Sequence, residues 1–480
     1  MRPALKLHAA NAATVEPQTD SLRRCEHALE LLLTHRGNPS VEIERVLAED
    51  PHCVFGHCLR AAIIVRADAG AEQAKLAESV ATIEALCPDI DNPARRHAAA
   101  ARAWLEGDPA LAVERYGGIV IDWPRDILAL LVAHALDFRL GRRRMMRDRI
   151  TQVLPEWDAS VPGYASLLAM YSFALEENAQ YRRAEKIARR ALTLDPRHPG
   201  AIHVVVHVME MQGRAREGLA FLAATESAWG EGTGFSVHLA WHRALLQLDA
   251  DDPDAALVTY DAQIANGRVS DMSELTDASS LLWRLQLRNI EVGGRWRQLA
   301  DRWDVQTLVG ARPFYIVHAM MAFIAAGRTA AVMRVFEALP RTDGNAASPV
   351  LSEDALAPLF CEALLAFSRS DYAACVDWLG RVRYIAHRCG GSLAQCDLIH
   401  LTFTEAALRA RRARLARALV AERTAQKPAS RLNWLLQQRL AMIPNRMYET
   451  GSSAGLSFRG WGRPKPLHAL PTPQWGADRS

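Results

Sequence analysis

Two short stretches have residue types and spacing suited to metal binding: His203-Val204-Val205-Val206-His207 and His238-Leu239-Ala240-Trp241-His242. Residues four apart share one face of a helix, so each stretch can offer two imidazoles to a single ion. Glu210 stands seven past His203 on the same stripe, where a carboxylate can act as a third ligand or as a general base. The zincin signature is absent, because Val204 occupies the place of its Glu. No thiolate set has zinc spacing either, since Cys53 and Cys58 lie five apart with no second pair at matching distance. A His₃ or His₂-carboxylate site open to water is the geometry left, and imidazole donors suit Zn, Cu, Fe and Ni alike. The plainer reading is that these rings bond backbone or carboxylates and fill the core.

Other residues attach to this set. His57, His97, His134 and His318, like the four above, stand 6 to 13 residues before a helix-breaking turn. Asp137, three past His134, can orient that ring or make an ordinary contact within its helix. Tyr164 and Tyr171 face one way, though such aromatic pairs are usually core. Asp277 in TDASSLLWRL reads as the N-cap of an apolar helix. The basic run at 141–149 reads as a charged helix edge. Gly293-Gly294 and Gly390-Gly391 lack the strand–turn–helix setting of a phosphate loop.

The elements that hold these residues are helices. Periodicity is helical nearly throughout, and Gly and Pro fall between the apolar-periodic segments. Breaks stand near Gly70, Gly107, Gly141, Asn178, Gly213 and Ala250, at intervals of 37, 34, 37, 35 and 37 residues. Further breaks near Gly293, Gly327, Ser370 and Arg411 follow at 43, 34, 43 and 41. Each interval holds two helices, which is the signature of a helical-hairpin solenoid. One unit fits the tetratricopeptide pattern in detail: Ser172 in the first helix, Asn178 in the turn, Ala184 and Ala191 at close-packing positions, and Pro196 as the stop. The eight histidines named above then all lie on first helices, which line the concave side of such an array.

Length and composition set the outer bounds. The chain has 480 residues, half of them hydrophobic and 23% charged, enough to bury a large core. A net charge of +3 is too balanced for a nucleic-acid binder. Lys6, Lys75, Lys186, Lys427 and Lys465 are the only lysines, a skew towards Arg that fits a GC-rich genome. The eight Cys show no CxxC and read as mostly buried, reduced thiols. No signal-peptide segment or membrane span is apparent, so a cytoplasmic location is expected.

A family resemblance follows from longer strings. GHCLRA at 56–61, HALDFRLG at 134–141, PGYASLLAMYSFALEE at 162–177 and HVVVHVMEMQGR at 203–214 resemble the tetratricopeptide repeat protein 38 family. VHLAWHRALLQLD at 237–249, DASSLLWRLQLR at 277–288, HAMMAF at 318–323 and GGSLAQCD at 390–397 extend the resemblance over roughly 45–440. It implies an all-helical tetratricopeptide-like solenoid without an established activity, and its His pattern falls on His57, His134, His203, His207, His238, His242 and His318. Ile316, Leu393 and Cys396 depart from that pattern, which implies an altered or lost site if they line the same channel.

The expectation is therefore all-α: a tetratricopeptide-like solenoid at 21–443 of nine or ten hairpins in a right-handed superhelix. A frayed segment at 1–20 precedes it, and an irregular Gly/Pro/Arg-rich tail at 444–480 follows. The expected function is binding of a small molecule or peptide segment in a His-rich concave channel, with no nucleic acid or membrane partner. The alternative is a metal-dependent hydrolase, lyase or oxidase, using a divalent Zn, Fe, Cu or Ni held by His203, His207, His238 and His242. Glu210 would be its base, and His57, His134, Asp137, Tyr164 and His318 would line the ligand.

Overall fold

The computed structural model describes residues 19–67, 72–230, 232–265, 272–339 and 356–443. The tail at 444–480, most of the expected frayed start and the break at Gly70 lie outside the described residues. Among these residues there are twenty-four α-helices and no strand. The fold is an all-α, tetratricopeptide-like array of consecutive helical hairpins.

The helices form two compact units. The first holds α1 (Thr19–Thr34) paired with α2 (Pro39–Glu49), α3 (Val54–Ala67) with α4 (Gln73–Leu86), and α5 (Pro93–Leu105) with α6 (Pro109–Asp122). It continues with α7 (Ile127–Arg139) and α8 (Arg143–Val153), α9 (Tyr164–Glu176) and α10 (Tyr181–Leu194), α11 (Pro199–Met211) and α12 (Ala215–Ala224), and the short α13 (Glu226–Trp229). The start of α14 (Ser236–Asp249) completes it.

Local sequence explains these starts and stops. Asn38, Asn92 and Asp108 each cap a helix through the side chain and are followed by Pro at its first position; there the missing N–H costs nothing. The nine breaks that fall on described residues all stand between paired helices, and each carries a residue in or next to the left-handed region, among them Gly107 (φ 79°), Gly141 (φ 65°) and Ala179 (φ 57°). Such a residue closes the helix and turns the chain back. The turn at His35–Gly37 adds a pair ahead of the breaks read from the sequence. Ser172, Ala184 and Ala191 are fully buried, and they let α9 and α10 approach closely.

First helices pack on first helices, α1 on α3, α3 on α5 and on α7, and α7 on α9. The first unit also closes on itself. Arg36 forms an antiparallel bridge with Thr233, and Gly234 N–H donates to His35 O at 2.7 Å. The His35 ring meets Phe235 edge-on with centroids 4.6 Å apart.

The second unit runs from the end of α14 through α15 (Pro253–Thr259), α16 (Met272–Leu287), α17 (Arg295–Arg302), α18 (Pro313–Ala325) and α19 (Thr329–Ala338). It ends with α20 (Leu356–Ser368), α21 (Tyr372–Val382), α22 (Leu393–Arg409), α23 (Ala413–Gln426) and α24 (Arg431–Ala441). Asp277 is not the N-cap of α16: the helix already runs at Met272, which leaves this buried carboxylate in mid-helix near Gln395 Nε2 at 3.4 Å. A Cβ on Gly391 would come within 2.5 Å of the Phe314 ring, and Ser392 forms a capping box with Gln395 at the start of α22. Ile316 is core, and the Cys396 thiol donates to Gly390 O at 3.2 Å. No helix among the described residues is long and apolar enough to cross a membrane.

Candidate metal centre

Helix α11 is buried along 201–210 on every face, so its polar side chains must find partners inside the protein. Its start is fixed by His198, whose Nδ1 accepts from Ala201 N–H at 3.3 Å while Nε2 meets Ser166 Oγ at 3.0 Å. Helix α14 starts just beyond the Arg36–Thr233 bridge, and the fully buried Trp241 stacks on His238 with ring planes 16° apart. Both helices thus enter the interior at defined positions.

The four imidazoles meet there. His203 Nε2 lies 3.0 Å from His238 Nε2, and His238 Nε2 lies 3.3 Å from His242 Nε2. His207 joins them: one ring nitrogen from each of the four lies within 4.8 Å of all the others. Zn–N bonds of about 2.0–2.1 Å at tetrahedral angles place neighbouring nitrogens about 3.3 Å apart. His203, His207 and His242 are buried, and His238 is half-buried. Burial, then the neighbouring histidines, hold His203 well below the usual imidazole range, so its ring is neutral and keeps a lone pair at neutral pH.

Carboxylates stand behind two of the rings. Glu210 Oε2 lies 2.8 Å from His242 Nδ1, and Glu176 Oε2 lies 3.4 Å from His207 Nδ1. At 2.8 Å the Glu210 contact is a hydrogen bond of the kind that fixes a ring tautomer and leaves Nε2 to face a metal, whereas Glu176 stands beside His207 at ion-pair distance. Glu210 stands behind the His242 ring, with Oε2 engaged by its Nδ1.

Glu176 was not among the residues singled out by the sequence, though a signal for it exists. Glu176 and Glu210 are 34 residues apart, while His207 and His242, like His203 and His238, are 35 apart. One hairpin step relates the two Glu–His pairs. Glu177, next to Glu176, pairs with Arg143 Nε at 2.8 Å.

The remaining candidates lie elsewhere. His57 Nε2 is 2.9 Å from Pro51 O and its Nδ1 is 3.3 Å from Ser79 Oγ, so it ties α3 to its neighbours. His97 Nε2 pairs with Asp126 at 2.9 Å. Asp137 does not orient His134: its buried carboxylate accepts from Arg149 Nε at 2.6 Å, because α8 brings that cation alongside. His134 packs towards Phe173, whose ring also contacts His203 and His207. Tyr164 packs against the apolar core. His318 belongs to the second unit, where its Nδ1 is 2.7 Å from Phe314 O.

No protein-family model matches the chain. Among solved structures, one described as Naa15/Naa10 bound to HypK-THB is similar at 11% identity over 86% of this chain, with a TM-score of 0.25. The likeness spans 65% of that longer chain. A second, the APC/C hetero-tetramer Cut9-Hcn1, shares 12% identity over 88% of this chain and 96% of its own, with a TM-score of 0.23.

Proposed function

We propose that the first unit is a metal-dependent binding module: a divalent transition ion held by His203, His207, His238 and His242 faces a chamber that takes a small molecule. One observation carries this reading, the convergence of four ring nitrogens within 4.8 Å of one another. Glu210 supports it, since its hydrogen bond to His242 Nδ1 leaves Nε2 free to face the ion, and Glu176 lies close behind His207. Four imidazole donors suit Zn, Cu, Fe and Ni alike, zinc being the ion used in the tests below, and when bound the ion supplies a Lewis-acidic centre.

Binding is favoured over catalysis because Glu210, the candidate base, is already engaged by His242. A small molecule is favoured over a peptide segment, since the bridge between Arg36 and Thr233 ties the two ends of this unit's helix series together beside the histidines. Membership of the tetratricopeptide repeat protein 38 family is part of the proposal. So is a cytoplasmic location, on the strength of eight free cysteines.

Elemental analysis of the untagged protein tests the reading: about one transition ion per chain is expected, as for other closed nitrogen sites. His207→Ala should lose the ion while keeping its helical circular dichroism. Protein that takes up no ion even after incubation with zinc would overturn the proposal.

A further inference from the structure

Two buried thiols meet in the first hairpins, and the metal reading uses neither. Cys25 lies on α1, and Cys53 stands immediately before α3. Their sulfurs are 3.8 Å apart, although 28 positions separate them in the chain. Neither residue is more than 1% exposed. A disulfide bond needs about 2.05 Å between sulfurs, so the pair is already in contact and short of a bond only by a small approach.

The two sulfurs are not equivalent. Cys53 stands at the N-cap position of α3, where its carbonyl accepts from His57 N–H at 3.1 Å. Its sulfur lies 3.5 Å from the place that a Cβ on Gly56 would take, over the first turn of the helix. A helix N-terminus favours an anion there, and a thiolate is the reactive form of cysteine. Hydrogen bonding with Cys25, then the backbone N–H groups of Gly56 and Phe55, lower the Cys53 thiol from its ordinary value against the opposing effect of burial. The contact with Cys53, then burial, raises Cys25. Burial foremost raises Cys58, Cys87, Cys361, Cys375 and Cys389, so Cys53 differs from these five.

We infer that Cys25 and Cys53 form a redox modification site, at which hydrogen peroxide converts the thiol pair to a disulfide. The Cys53 thiolate attacks one peroxide oxygen, so that an S–O bond forms, the O–O bond breaks and the other oxygen leaves as water. The Cys25 sulfur then attacks the sulfenic acid on Cys53: the S–S bond forms, the S–O bond breaks, and a second water leaves with the Cys25 proton. Two electrons pass from the thiols to the peroxide. Burial restricts the oxidant to a molecule of about this size, and the waiting Cys25 sulfur directs the sulfenic acid to a disulfide before higher oxides form. The bond would join α1 to the start of α3 and so cross-link the first two hairpins. No metal enters these steps, so the inference does not depend on the proposed function.

Peptide mapping of the full, untagged chain tests it, after treatment with hydrogen peroxide and alkylation of the remaining thiols, with circular dichroism following the fold throughout. Two of the eight thiols should be lost, recovered in a linked Cys25–Cys53 peptide and restored by dithiothreitol. Cys25→Ala should stop at the sulfenic acid, captured on Cys53 by dimedone. Cys53→Ala should lose the linkage and leave Cys25 reduced. The native chain needs no substitution, so its map decides even where a variant fails to fold. A folded native chain that keeps all eight thiols, or that links other cysteines instead, overturns the inference. So does a Cys25→Ala chain of native helicity whose Cys53 takes up no dimedone.

Discussion

His242 presents Nδ1 to Glu210 at 2.8 Å and His207 lies 3.4 Å from Glu176, and in the proposed site the Glu would position while the imidazole donates. Glu210→Gln should therefore retain the ion but weaken its affinity about 10- to 100-fold, read by competition with a coloured chelator. Unchanged affinity would mean that the carboxylate does not tune the ring. Asp137→Asn is the contrast. It breaks a buried pair with Arg149 and should cost about 3–5 kcal/mol in urea unfolding, leaving zinc affinity as it was. The four histidines were legible in the sequence because each pair lies four apart on one helix. Glu176 was not, since its partner His207 belongs to the next hairpin. Asp137 was misassigned for the same reason: Arg149 comes from α8, and no local rule places it there.

At the scale of single helices, the breaks could be read because each hairpin needs a residue that tolerates a left-handed turn, and Gly, Asn and Ser stand at most of them. Helix starts were less legible. Asp277 has the right type and the right apolar sequel for a cap, yet the helix begins earlier and carries it inside. His198 was passed over because histidine is not a usual cap, although its Nδ1 does that work for α11. This cap has a pH consequence. Burial first of all lowers His134, His198 and His318 to about 4, from an ordinary value of 6.5. As pH falls below 6.5 the unfolded chain takes up protons before the folded one does, so stability is full above that value and lost progressively towards pH 4. Melting temperatures of metal-free protein should fall steadily from pH 7 to pH 4.5. A flat profile over that range would mean that these rings are not held neutral by burial.

The first unit is more than a row of hairpins, because its first turn is bridged to the loop before α14. Nothing in the hairpin periodicity announced that closure; it depends on contacts between Arg36 and Thr233, almost two hundred residues apart. Because the ion would join α11 to α14 across this closed unit, it should stabilise the native state. With free zinc near a thousandfold above its dissociation constant, the gain is about 4 kcal/mol, visible as a rise in melting temperature that a chelator reverses. X-ray absorption at the zinc edge of the loaded, untagged protein tests the central claim most directly. The account requires a first shell of about four nitrogens at about 2.0–2.1 Å, with the outer-shell scattering of imidazole rings. A shell containing sulfur, or an oxygen-rich shell without imidazole scattering, would contradict it.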